Sequence, residues 1–240
     1  MKGCIDMHLH LGRSRDGASL ALPELLNAMN RYQIERAVLF PIDEARAGPT
    51  YEKINGRILK AASKNRRIIP FVRLDPRAGR KAFQELERSR RAGARGVKLH
   101  PRSENFSPRE AETLISEIEK ERLPVILHSS HERNCRPLDW EKIFKRHRRI
   151  PFILAHAGKD AFLEAAGVTL RNRNVWLETS TLSYWRTQMI LKKVGARRVV
   201  FGSDLAYSHP GIERLKLDLL LNSSDRRKVY SENPRRILGE

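Results

Sequence analysis

Residues 96–128 open with Gly96-Val97-Lys98-Leu99-His100, pass through Ser107-Pro108-Arg109-Glu110 and close with Val125-Ile126-Leu127-His128. The two outer runs are short, apolar and β-branched, the signature of buried strands. Between them Ser107 suits a helix N-cap, Pro108 the first helical position and Glu110 the reciprocal contact of a capping box. Ala111, Leu114, Ile115 and Ile118 then recur at helical spacing. The stretch therefore reads as strand, helix, strand, with a histidine at the end of each strand.

The same unit repeats outward in both directions. Further strand-like runs lie at 4–10, 37–41, 68–74, 152–156, 175–178 and 199–204. Their starts fall roughly 23 to 33 residues apart, the length of one strand–helix unit. Pro23 opens a helix over 22–32 with Leu25, Leu26 and Met29 on one face, and 51–63 repeats the pattern through Ile54, Ile58, Leu59 and Ala62. A helix over 212–221 and a short turn over 233–238 follow the last strand. Eight such units in 240 residues predict an α/β fold, a closed (β/α)8 TIM barrel, as a single domain over 1–240. An open doubly wound sheet is the alternative, but Gly12-Arg13-Ser14 after the first strand lacks the G-x-G-x-x-G spacing of a phosphate loop.

Composition narrows the class. Apolar residues make up 40% of the chain, enough for a full core. Two cysteines, Cys4 and Cys135, make no disulfide framework and fit a reducing compartment. No apolar run approaches a membrane span, and the opening residues lack the apolar core of a secretory signal, so a soluble cytoplasmic protein is expected. Lys and Arg number 47 against 28 acids, a net charge of +19. Such a surplus attracts polyanions on any fold. Much of it, however, falls just before strands, for instance at Arg88, Arg90, Arg91, Lys192 and Lys193. In a barrel those positions are helix C-termini on the face opposite the chemistry, where cations offset helix dipoles. A nucleic-acid partner is not expected from charge alone.

Seven of the eight histidines, all but His147, fall at or just beyond a predicted strand's C-terminal end. That is the face on which barrels build their sites. Strand alternation places Asp6, His8 and His10 on one face and Met7 and Leu9 on the other. Two imidazoles two residues apart on a strand can chelate one metal. His128, His156 and Asp204 end three other strands at the same rim, and together these residues predict a metal site.

This constellation resembles the amidohydrolase superfamily, and most closely the amidohydrolase-related family that includes aminocarboxymuconate-semialdehyde decarboxylase-type enzymes. Besides residues 6–10, the motifs that carry the likeness are Gly96-Val97-Lys98-Leu99-His100-Pro101, Leu127-His128-Ser129, Leu154-Ala155-His156-Ala157-Gly158, Phe201-Gly202-Ser203-Asp204 and Glu232-Asn233-Pro234-Arg235-Arg236-Ile237-Leu238-Gly239. The resemblance implies that His8, His10 and Asp204 hold a zinc or other divalent ion, with His128 completing the set. His156 would orient the attacking water or serve as a further ligand. One ion is expected rather than two; a carboxylated Lys98 would bridge a pair, whereas an ordinary ammonium there would bind a substrate carboxylate. The implied activity is hydrolysis of an amide, ester or lactone bond in a small, carboxylate-bearing molecule by metal-activated water, with Asp204 as general base and acid.

The same ligands would also serve a metal-dependent decarboxylase. A TatD-like deoxyribonuclease on the same barrel usually carries a glutamate after strand four, where this chain has Lys98 and His100. A non-catalytic nucleic-acid-binding barrel leaves the rim residues unexplained. Arg73, Arg13 and His100 are the candidate substrate-binding residues, with Glu178, Tyr207 and His209 further guesses near the rim. A short loop over 11–20 predicts an open pocket, which a second subunit of a homo-oligomer could complete.

Overall fold

The computed structural model describes residues 3–45, 47–48 and 50–240. Its sheet comprises β1 (Ile5–Arg13), β2 (Ser19–Leu20), β3 (Arg36–Pro41), β4 (Ile68–Arg73), β5 (Gly96–Leu99), β6 (Val125–His128), β7 (Phe152–Ala155), β8 (Val175–Glu178) and β9 (Val199–Val200). All pair in parallel in chain order except β2, which turns back antiparallel on the end of β1. Beyond β9 the chain continues along β1. Met7 N donates to Phe201 O at 2.9 Å, Asp204 N to His8 O at 2.8 Å and His10 N to Leu205 O at 2.9 Å. These bonds close the sheet into the predicted (β/α)8 barrel.

Two apolar layers hold it. Outward-facing strand residues such as Leu39, Val72, Leu99, Leu127 and Leu177 pack against the helices. Inward-facing Ile5, Met7, Phe40, Phe71, Ile126, Ile153 and Trp176 fill the barrel. Ile237 and Leu238 join this inner layer from the helix Asn233–Leu238. Arg36, which starts β3, pairs with Glu240, and Arg95, just before β5, donates to Leu238 O. The plug therefore seals the N-terminal end of the strands, and the C-terminal end stays open for a site.

The helix Pro108–Lys120 carries the predicted capping box, with Ser107 and Glu110 bonded reciprocally. Other boundaries shift. The eighth barrel strand ends at Val200 rather than residue 204, because the chain there bonds β1 only intermittently. The sixth ends at Ala155, since His156 takes a left-handed φ of 59°. A short helix, Pro101–Glu104, which the sequence reading did not assign, follows β5.

The shared face expected for Asp6, His8 and His10 is corrected by a register shift in β1 between Asp6 and Leu9. Ile5 and Met7 both belong to the inner layer, whereas Leu9 faces the helices. The bulge re-aims the strand, so His8 and His10 face the cavity while Asp6 does not. Asp6 Oδ1 instead accepts from the backbone N–H groups of His8 and Ser203, both at 3.0 Å, and ties β1 to the last turn of the ring.

Candidate metal centre

A cavity of about 470 Å³ opens at the C-terminal ends of the strands, lined by His8, His10, Arg73, Lys98, His100, His128, His156 and Asp204 among others. Asp204 lies at its floor in a left-handed backbone conformation, φ 51°, that turns its carboxylate towards β1. Asp204 Oδ1 is 3.3 Å from His8 Nε2 and 3.0 Å from His10 Nε2. The donor atoms of these three residues all lie within 4.8 Å of one another, as do those of His8, His156 and Glu178.

Burial sets the charges. It drives His10 down to about 4 and His156 to about 3, against the pull of Asp204 on both. His100 and His128 fall well below the usual histidine value for the same reason. All four rings are therefore neutral at pH 7, with lone pairs available for a cation. Burial would raise Asp204, but His8, the hydrogen bond from His10 and the nearby His156 hold it below the usual carboxylate range. Buried Lys98 is lowered to about 7 by desolvation, with Asp204 opposing the shift. Its ammonium nitrogen lies 4.9 Å from the centre of the Phe40 ring.

The donor set fits a divalent ion. Nε2 of His8 and of His128 is buried without a hydrogen-bond partner, an arrangement that is costly unless something else occupies the lone pair. Neutral imidazoles beside one ionised carboxylate are what zinc- and manganese-type ions take. His128 stacks on His100 at 4.0 Å and lies 5.1 Å from His156, ring centre to ring centre. It belongs to neither of the two tight donor groups, although its ring lies beside His156 of the second.

The substrate-binding candidates separate. His100 lines the cavity and accepts from Ser103 N. Arg73 also lines it, but its Nε donates to Glu104 at 2.6 Å and its Nη2 to Asp43 at 3.2 Å, so most of its fork is already taken. Arg13 is exposed at the end of β1 and outside the lining; Arg15 and Asp16, two and three residues on, are part of it. Tyr207 lines the rim and donates to Ser14 Oγ. His209 caps the helix Pro210–Leu220 and meets the Tyr32 ring edge-to-face. Asp43, Arg102 and Lys159 are lining residues that the sequence reading missed. Each follows a strand by a few residues, and that position was the available signal.

Fold and site together define a metal-type barrel of the kind that performs chemistry at its strand ends. The Amidohydrolase family profile matches residues 5–239, and the chain belongs to that family of amidohydrolase-superfamily enzymes. Among solved structures, it is similar to 5-carboxyvanillate decarboxylase from Sphingomonas paucimobilis, with 12% identity, TM-score 0.78 and coverage of 100% of this chain and 99% of the other. A dihydroxybenzoic acid decarboxylase from Polaromonas sp. JS666, solved with bound manganese and the inhibitor 2-nitroresorcinol, is 14% identical with TM-score 0.75, covering 100% and 97%. Amidohydrolase 2 from Bifidobacterium longum subsp. infantis is 16% identical with TM-score 0.69, covering 98% of each chain. No curated protein matches the sequence.

Proposed function

We propose that the chain is a divalent-metal-dependent hydrolase of a small, carboxylate-bearing amide, ester or lactone. The observation that carries this reading is the convergence of His8 and His10 on an ionised Asp204 at the floor of a cavity that also presents Lys98. His8, His10 and Asp204 would hold the ion, with His128 and His156 facing it. When bound, zinc or a similar ion would polarise the scissile carbonyl and make a water ligand more acidic. Asp204 would accept a proton from the attacking water and return it to the leaving group. His156, neutral at pH 7, would orient that water or stabilise the developing oxyanion. Lys98 would seat a substrate carboxylate as an ammonium. One ion is favoured over two because both tight donor groups need His8, and its Nδ1 is already engaged by Glu178. The free state of Cys4 and Cys135 supports a cytoplasmic setting.

Decarboxylation is the second reading. It is favoured by the two decarboxylases of similar fold, and the same Lys98 would hold the carboxylate that leaves. Incubating zinc- or manganese-loaded protein with a panel of lactones, amides and hydroxylated aromatic carboxylates separates the two. Ring-opened or hydrolysed product, lost in Asp204→Asn, is the expected result. Release of carbon dioxide without hydrolysis would replace the first reading with the second, and no product from either set would remove both.

A further inference from the structure

Glu178 ends β8 fully buried and directs its carboxylate at the framework of the metal cluster, not at the cavity lining. Its Oε2 takes His8 Nδ1 at 2.6 Å, Ser180 Oγ at 2.9 Å and the backbone N–H of His156 at 3.3 Å. Its Oε1 accepts from Ser180 N. Both oxygens are thus engaged, and two of the partners are rim histidines.

His8 stands between two carboxylates, Glu178 on its Nδ1 side and Asp204 on its Nε2 side at 3.3 Å. A neutral imidazole has one proton to give. If Asp204 drew it to Nε2, that nitrogen would become a donor and could not ligate a cation. Nε2 makes no hydrogen bond, and the contact to Glu178 is the shorter, 2.6 Å against 3.3 Å. Space for it comes from Gly202 on the neighbouring segment, where a Cβ would lie 2.6 Å from both Cδ and Oε1 of Glu178. Gly202 does not have the positive φ that would by itself call for glycine, so room for the carboxylate is what requires its missing side chain.

We infer that Glu178, given its room by Gly202, is a positioning residue that keeps the His8 proton on Nδ1 and presents Nε2 as a lone pair to the ion. The inference rests on the metal reading of the His8–His10–Asp204 cluster. Carboxylates behind ligating histidines typically contribute 10–100-fold in metal affinity.

Zinc affinity of the full chain, measured by competition with a chromophoric chelator, should fall by about 10–100-fold in Glu178→Gln and in Gly202→Ala, with near-native circular dichroism. Unchanged affinity in two folded variants would overturn the inference. Zinc binding absent from the wild type would instead count against the metal reading. A second measurement needs no variant: long-range proton–nitrogen NMR of the histidine rings in the metal-free wild type, at a pH where His8 carries one proton. A proton on Nδ1 is expected. A proton on Nε2 would overturn the inference, whether or not metal binds.

Discussion

His10, His100, His128 and His156 are pressed into their neutral forms by burial, beside an Asp204 held ionised by His8, His10 and His156. The side chain expected to handle the proton is therefore Asp204. Asp204→Asn should lower turnover by about 10²–10⁴-fold while the protein still melts cooperatively, as steady-state kinetics and calorimetry would show. Lys98 gives a pH signature. Burial lowers its folded value to about 7 from an ordinary 10.5, so between those values the unfolded chain binds more protons than the folded one. Stability contributed by this site therefore rises as pH goes from 7 to 10.5. Lys98→Met should be stabilised relative to wild type at pH 6, and the gap should shrink towards pH 10 in denaturant melts; a constant gap would contradict the assignment. At this scale the H-x-H pair, Lys98 and the strand-ending histidines were legible because residue type and strand position coincide. The partners of Arg73 were not. Glu104 reaches it from a short helix, and Asp43 from a loop, about thirty residues away in sequence.

Among the elements, β1 departs most from its pattern. Strict alternation put Asp6 with the histidines, and the bulge that separates them depends on the pairing of β1 with β3 and with the segment after β9, which no local pattern encodes. The two strands and the main helix of the unit at 96–128 were legible, because the capping box and apolar spacing agree with the tertiary packing, but the short helix Pro101–Glu104 was not. Ser107→Ala should cost about 1 kcal/mol in urea unfolding, the usual value of an N-cap. Gly96 starts β5 against the ring of Phe71, and any Cβ there meets that ring. Gly96→Ala should destabilise by about 1–3 kcal/mol, as overpacking does, and Phe71→Leu in the same chain should recover part of the loss.

Over the whole molecule, much of the positive charge lies at the end of the barrel opposite the chemistry. Lys and Arg fill the last turns of the helices, at Arg31, Lys64, Arg88, Arg90, Arg91, Lys120, Lys145, Arg146, Arg171, Lys192 and Lys193. Each such cation offsets a helix dipole by about 0.3–1 kcal/mol. The cavity lies at the other strand ends, with exposed Arg15 and Arg102 at its mouth, so it opens to solvent as the short loop over 11–20 suggested. Titration with duplex DNA should give weak binding that fades between 50 and 200 mM salt, on the order of the non-specific regime, and that is the same in a His8→Ala/His10→Ala variant. The most direct test of the account is metal content by mass spectrometry on protein purified without chelator or histidine tag, beside that variant. The account predicts close to one divalent ion per chain in the wild type and none in the variant. A wild type that stays metal-free after supplementation with zinc and with manganese would contradict it.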